Sequence, residues 1–296
     1  MRSASVFVTD ENYAESDTAF ARLPTVQAAD SAAPMNITAI QLDSVWEDPH
    51  ANFAKVERLL AASPPAEGSL IVLPEMFATG FSTDLSKTMQ GAACETEEFL
   101  RTLAMRHRCT AIGGMINPGT NGRGRNESVT FAADGTLLAR YVKQQPFSGL
   151  TDAGESEVHE AGHEPVLFRL GEFTVAPLIC YDLRFPELFR EATRRGADLL
   201  IVIAAWPEIR IGHWITLLRA RAIENLAFVI GVNRTGREPS HACGGRSIVV
   251  DPHGEIIADA GTSETIFTAS IAHTDVAAWR AKFPALRDAR WRARES

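Results

Sequence analysis

The stretch FTVAPLICYDLRFPE, Phe173 to Glu187, decides how the rest of the chain is read. Its apolar, β-branched run Val175 to Ile179 stops abruptly at Cys180, the polar cluster Tyr181, Asp182 and Arg184 follows, and Pro186 opens a helical pattern. That order predicts strand, elbow, helix. A buried strand delivers a side chain at its carboxyl end, and a helix starting just beyond turns N–H groups and its positive dipole end toward the same place. Such a position favours a thiolate. Taken alone, Cys180 reads more readily as a small core hydrophobe, as most free cysteines do. The neighbouring segments decide between the two.

Working outward, ITAIQL (Ile37 to Leu42) predicts a short strand, and Pro49 to Ala62 carries apolar residues at Phe53, Val56, Leu59 and Leu60, the spacing of an amphipathic helix. Leu70 to Leu73 predicts a second buried strand that runs into Pro74-Glu75, leaving Glu75 just past a strand's carboxyl end. A helix Glu95 to His107 and strands Thr110 to Ile116, Ser128 to Ala132 and Leu137 to Lys143 follow, with Asp134-Gly135 as the hairpin turn between the last two. Gln144 to Glu164 lacks a period and predicts a long loop. Beyond it come strands Pro165 to Phe168, Phe173 to Ile179, Leu199 to Ala204, Ala227 to Val232, Ser247 to Val250, Glu255 to Ala260 and Thr265 to Ile271. Helices Pro186 to Arg195, Gly212 to Asn225 and Asp275 to Phe283 lie among and after them.

The two halves rhyme: AIQL, helix, LIVLPE, helix, TAIGGMINPGT and two strands around ADGT match APLI, helix, LLIVIAAWP, helix, AFVIGVNRTG and two strands around DPHGE. Loose self-similarity of this kind arises in any βαβ protein, but the order specifies a duplicated β–α–β–α–β–β unit. Two such units, packed sheet to sheet, make an α/β four-layer α-β-β-α sandwich of two mixed sheets with an internal pseudo-two-fold repeat.

The 296 residues are 45% hydrophobic and 22% charged, the balance of a globular chain with a large core. A net charge of −8 without a basic block argues against a nucleic-acid surface, and no apolar run approaches the length of a membrane span. Cys94, Cys109, Cys180 and Cys243 lie far apart without a C-x-x-C pair, which suits a reducing cytoplasm. Residues 1–34 are rich in Ala, Ser and Asp and are expected to be a loosely ordered extension, with one domain from Met35 to Ser296. The N-x-S/T triplets at Asn36, Asn126 and Asn233 are taken as chance.

Acyl transfer by a cysteine needs a base, an oxyanion donor and a pocket that excludes bulk water. Glu75 is placed to take the thiol proton, return it to a leaving nitrogen and then activate water. Lys143, at the end of a strand, offers an ammonium for the oxyanion, and its charge favours the thiolate. Each alone also fits a solvated charge at a strand end.

Together, PEMFATGF around Glu75, Lys143 closing ARYVK, and LICYDLRFPE around Cys180 resemble the three catalytic motifs of the nitrilase, or carbon–nitrogen hydrolase, superfamily, in that family's order. GESEVHEAG, AAWP, HWITLLRARAIEN, GVNRTG and DPHGEII extend the resemblance from about Met35 to about Ile271. It implies a cysteine hydrolase of amides or nitriles with Glu75 as base and acid, Lys143 as oxyanion stabiliser, Cys180 as nucleophile, Glu155 as an accessory acid and the Tyr181 N–H completing the oxyanion site. MFATGF, CYDLRFPE, AAWP and HWITLLRARAIEN are most similar to the omega-amidase branch, which implies a small carboxylate-bearing amide such as alpha-ketoglutaramate or succinamate. Arg184 then suits the substrate carboxylate, or else an internal salt bridge at the elbow. Phe81, Phe147 and Trp206 are candidate pocket walls, or core. The family's pairing across the helix after the nucleophile implies a homodimer through Pro186 to Arg195. The segment QQPFSGLTDAGE after Lys143 departs from the family's His-Leu-Phe-like run, which weakens the choice of substrate.

Other readings remain at this stage: N-carbamoyl amino acid amidohydrolase or nitrilase activity, a cysteine–histidine hydrolase using His241 or His213, and a binding protein that keeps the fold without turnover. His159 and His163 have a helical metal-ligand spacing, but Gly162 and the loop composition argue against a helix, so no metal and no cofactor is expected. A loop histidine beside a partly buried cysteine is the reading of His241 and Cys243. The expected partner is a small-molecule amide.

Overall fold

In the computed structural model, residues 25–26, 33–149 and 154–290 are described. The expected loose extension therefore lies mostly outside the described residues. In chain order the strands are β1 Thr25–Val26, β2 Met35–Gln41, β3 Leu70–Val72, β4 Thr110–Pro118, β5 Gly124–Phe131, β6 Leu137–Val142, β7 Phe168–Leu170, β8 Phe173–Ile179, β9 Leu199–Ala204, β10 Phe228–Asn233, β11 Thr235–Arg237, β12 Ala242–Gly244, β13 Ile248–Val250, β14 Ile256–Asp259 and β15 Thr265–Ile271. The α-helices are α1 Pro49–Ala62, α2 Leu85–Thr88, α3 Glu95–His107, α4 Glu155–Val158, α5 Pro186–Arg194, α6 Ile211–Asn225, α7 His273–Lys282 and α8 Ala285–Asp288.

A six-stranded sheet runs β15-β2-β3-β4-β5-β6 and a seven-stranded sheet runs β1-β7-β8-β9-β10-β13-β14. In the first, β2, β3 and β4 are parallel and β5 and β6 return antiparallel. In the second, β8, β9 and β10 are parallel and β13 and β14 return antiparallel. This is the duplicated unit that the rhyme between the two halves predicts. β15 closes the exchange: it leaves the second unit and pairs antiparallel with β2 of the first, from Thr265 opposite Gln41 to Ile271 opposite Met35.

The two-residue period of the strands sorts side chains between layers. Ile37, Ala39, Leu70, Val72 and Ile112 join one core with the second sheet and with Phe189 of α5 and Trp214, Leu218 and Ala222 of α6. The alternate residues Ile40, Ile71 and Ala111 form another core with Val56 and Leu60 of α1 and Leu100, Leu103 and Ala104 of α3. Helices therefore cover both outer faces and the sheets face each other, a four-layer α-β-β-α sandwich. Each fully buried aliphatic chain in these layers contributes about 1.5–3 kcal/mol. α1 starts where Asp48 accepts from the Ala51 N–H and Pro49 takes the first turn, as capping rules require.

Several elements differ from expectation. β5 starts at Gly124 rather than Ser128, because Arg125, Asn126 and Glu127 are polar residues that the fold pairs and shelters. β7 lies at Phe168–Leu170 rather than 165–168: Pro165 has no N–H for the ladder, and the hairpin with β8 turns on Gly171. The long loop holds α4, and a 3₁₀ turn, Cys180–Arg184, intervenes between β8 and α5.

Candidate active site

Glu75, Lys143 and Cys180 come from three strand ends of two sheets and meet between them. Glu75 and Lys143 have no solvent exposure, Glu155 has 1% and Cys180 has 8%. β4 approaches the Glu75 loop so closely that a Cβ on Gly114 would lie 2.6 Å from Glu75 Cα, so glycine is the residue that fits. Backbone strain marks both reactive ends. Met76, directly after Glu75, has φ +47°, and Cys180 itself has φ +46°, left-handed values that cost a side-chain-bearing residue about 1–3 kcal/mol.

Lys143 Nζ donates to Glu75 Oε1 at 2.8 Å and to Glu155 Oε2 at 2.7 Å. Asn126 Nδ2 donates to the same two carboxylates, at 2.8 Å to Glu75 Oε1 and 2.7 Å to Glu155 Oε1. Lys143, Glu75, Asn126 and Glu155 thus close a ring of charge-assisted hydrogen bonds. Backbone groups fix its rim: Ala205 N donates to Glu75 Oε2 at 2.8 Å, and Phe147 N donates to Glu155 Oε2 at 2.9 Å. His159 Nδ1 lies 3.3 Å from Glu155 Oε1, one turn along α4. The ammonium fills the place between the carboxylates that a metal cation would need.

Burial alone would strip the charge from Lys143, but the carboxylates of Glu155 and Glu75 outweigh it and hold the ammonium's pKa well above the ordinary value. Burial works against ionisation of Glu155 too, yet Lys143 and His159 together hold it well below the usual carboxylate range. Cys180 moves the other way. Burial, then the Glu75 charge, push its thiol well above the ordinary value despite Lys143, with a hydrogen bond to Glu75 adding to the shift. Burial and the Glu75 charge thus favour the protonated sulfur, in keeping with the expectation that Glu75 takes the thiol proton. Glu75, Lys143 and Glu155 are the main influences on that sulfur. His213 instead meets Arg184, and His241 meets Glu238 and Ser240.

Asp182 holds the Cys180 elbow against the strand that carries Lys143. It accepts from Tyr141 Oη at 2.8 Å, Gln145 N at 2.9 Å and Ile179 N at 3.0 Å, so it grips residues on both sides of Lys143 and the one before Cys180. Burial raises it to about 7 in spite of those donors. Tyr181 occupies the first turn of the 3₁₀ segment, where N–H groups lack intrahelical acceptors.

Around this centre, Phe81 presents its ring 5.4 Å from Lys143 Nζ, and Phe147 meets the Tyr181 ring edge-on at 5.1 Å. Trp206 is 2% exposed, and the Arg184 guanidinium lies 4.8 Å over its ring. Arg184 also reaches His213 Nδ1 at 3.3 Å but makes no ion pair among the described residues, so the internal salt bridge is not the arrangement found. Sequence reasoning missed Asn126, set aside as a chance N-x-S triplet, and Asp182, noted only as part of a polar cluster. Asp182, set directly after an apolar strand and a cysteine, carried a signal in the buried hydrogen-bond requirement; Asn126, among Arg125, Glu127 and Ser128, carried none.

The model of the carbon–nitrogen hydrolase family matches residues 36–281. The chain is 32% identical over 255 residues to the 2-oxoglutaramate amidase of Bacillus subtilis (strain 168), covering 86% of this chain and 97% of that protein. It is 36% identical over 250 residues to the deaminated glutathione amidase of Synechocystis sp. (strain PCC 6803 / GT-S), covering 79% and 91%. Among solved structures, XC1258 from Xanthomonas campestris, a CN-hydrolase superfamily protein with an arsenic adduct in its active site, superposes with a TM-score of 0.79 at 33% identity, over 88% of this chain and 98% of that one.

Proposed function

The chain belongs to the carbon–nitrogen hydrolase family, and on that premise we propose that Glu75, Lys143 and Cys180 hydrolyse a small carboxylate-bearing amide, of the 2-oxoglutaramate or succinamate type, through a thioester on Cys180. Amide hydrolysis is the coarse function its amidase relatives support. The observation that carries the finer reading is the closed ring of Lys143, Asn126 and two buried carboxylates beside the Cys180 elbow.

In this reading Glu75 removes the Cys180 proton as sulfur attacks the amide carbon, so a buried thiolate never has to persist. Lys143 Nζ and the Tyr181 N–H take the oxyanion. Glu75 then gives its proton to the departing nitrogen, ammonia leaves, and the same carboxylate draws a proton from the water that attacks the thioester. Collapse releases the acid and restores the thiol. Glu155 and Asn126 touch Lys143 and Glu75 and position them. Arg184, without a carboxylate partner among the described residues and seated on Trp206, is assigned to the substrate's carboxylate, with Phe81, Phe147 and Trp206 as walls.

The similarity to a deaminated glutathione amidase favours one second reading, a longer amide substrate. Ammonia release from 2-oxoglutaramate, succinamate, glutamine, an amide-bearing peptide, a simple nitrile and an N-carbamoyl amino acid separates them. Preference for the first two supports the proposal; preference for the peptide, the nitrile or the carbamoyl compound replaces it. We also propose a homodimer through Pro186 to Arg195, which would brace the elbow. A monomer with full activity in solution contradicts that part.

A further inference from the structure

The hairpin of β11 and β12 carries a second cluster of reactive side chains that the proposed reaction does not use. Glu238 is 2% exposed and Cys243 5%, while His241 between them is partly open to solvent. Cys243 Sγ lies 3.9 Å from His241 Nε2, His241 Nε2 lies 3.5 Å from Glu238 Oε2, and all three atoms fall within 4.8 Å of one another. The Glu238 carboxylate is used on one side only: Oε1 accepts from Phe81 N at 2.8 Å and pairs with the Arg234 guanidinium, whereas Oε2 is buried with no hydrogen-bond partner. The other ring nitrogen of His241 lies 2.9 Å from Ser240 Oγ. With that hydroxyl accepting from Nδ1–H, the lone pair of Nε2 faces the orphaned oxygen and the sulfur.

We propose that Glu238 Oε2, His241 Nε2 and Cys243 Sγ form a binding site for a borderline-soft divalent cation of the zinc type. Thiolate, imidazole and carboxylate are the donor set such an ion prefers, while magnesium and calcium take oxygen ligands. Tetrahedral zinc with its usual bond lengths places neighbouring donors about 3.3–3.6 Å apart, so the two separations from His241 need at most a few tenths of an ångström of adjustment, and the sulfur and Glu238 Oε2, within 4.8 Å, draw together by up to about 1.3 Å. A buried orphan acceptor is costly unless something fills it, and a cation does so. The dication with one thiolate and one carboxylate is neutral in itself, but Glu238 also pairs with Arg234, so binding adds one positive charge to the cluster, on the side that His241 leaves open to solvent. Binding replaces the S–H bond of Cys243 by a metal–sulfur bond and sends one proton to solvent, because burial holds that thiol up at about 11 beforehand. Three protein ligands leave the fourth position to water on the open side of His241.

The site touches two of the three aromatic walls proposed for the catalytic pocket. Glu238 holds Phe81, Cys243 pairs with Pro207, and Gly244 N donates to Trp206 O at 3.1 Å. The three ligands fall within the six residues Glu238 to Cys243, and the turn between β11 and β12 folds their side chains onto one another.

The test uses the full chain with Cys180→Ala, so that the nucleophile supplies no sulfur, titrated calorimetrically with zinc chloride in buffers of differing ionisation enthalpy. One zinc per chain with release of about one proton is expected. Adding Cys243→Ser or His241→Gln should abolish stoichiometric binding, with the metal-free circular dichroism spectrum unchanged. If either variant fails to fold, cobalt(II) bound to the Cys180→Ala chain decides: a thiolate-to-cobalt charge-transfer band is expected. Absence of zinc binding, binding that survives both substitutions, or a cobalt complex without that band overturns the site. Because nothing is read from turnover, failure here leaves the amidase assignment standing, and failure of the amidase assignment leaves this site standing.

Discussion

The two repeats share strand order and helix placement but not what they carry at their strand ends. The first repeat ends β3 with Glu75 and β6 with Lys143, both buried charges. The second ends β8 with Cys180 and β9 with Ala205-Trp206, offering a thiol, a backbone donor and an aromatic wall. One half supplies charge and the other supplies a buried thiol, a backbone donor and lining. The difference teaches that duplication built the scaffold, and that divergence of the ends, facing one another across the sandwich, built the site.

The sharpest way to break that comparison is to remove the first repeat's charge while leaving the second intact. Glu75→Gln should lower turnover about a hundred- to ten-thousand-fold in a steady-state ammonia assay, with the thiol still titratable. Activity kept within a few-fold would move the base elsewhere, to His241 or His213. Lys143→Met tests the same half by stability: it leaves two buried carboxylates without their cation, and denaturant unfolding should lose about 3–5 kcal/mol.

In the second repeat, Arg184→Gln should reduce kcat/KM for a carboxylate-bearing amide by about ten- to a hundredfold while sparing a carboxylate-free amide of similar length. Equal losses on both would reduce Arg184 to a prop for Trp206. A pH profile tests the link between the halves. Asp182 is raised to about 7 in the fold from an ordinary carboxylate value, so between those limits the native state keeps a proton the unfolded chain has lost. Stability is therefore undiminished by this group below its unfolded pKa, falls as pH rises toward about 7 by up to about 1.4 kcal/mol per pH unit, and levels off above. Asp182→Asn should flatten that slope in chemical unfolding measured from pH 4 to 8.

How much of this was legible depended on the kind of side chain. Apolar strands announced themselves: Phe173–Ile179, Leu199–Ala204 and Thr265–Ile271 and helices Pro49–Ala62 and Glu95–His107 have the bounds read from period alone. Glu75, Lys143, Glu155 and Cys180 were legible as motif positions, and the fold brings them together. What stayed hidden depends on partners far away in sequence. Asn126 looks like a loop residue until two carboxylates 51 and 29 positions away claim its amide. The balance at the Cys180 sulfur, where burial and the Glu75 charge outweigh Lys143, depends on the same distant partners. Left-handed φ at Met76 and Cys180 leaves no trace in residue type, since neither is glycine.

The central claim is that Cys180 of the second repeat carries the acyl group while Glu75 and Lys143 of the first handle proton and oxyanion. The most direct test is acid quenching of the chain during turnover of succinamate, followed by intact-mass measurement and peptide mapping. The account predicts an acyl adduct on the peptide containing Cys180, lost together with turnover in Cys180→Ala. An adduct mapped to another residue, or turnover that survives Cys180→Ala, would contradict it.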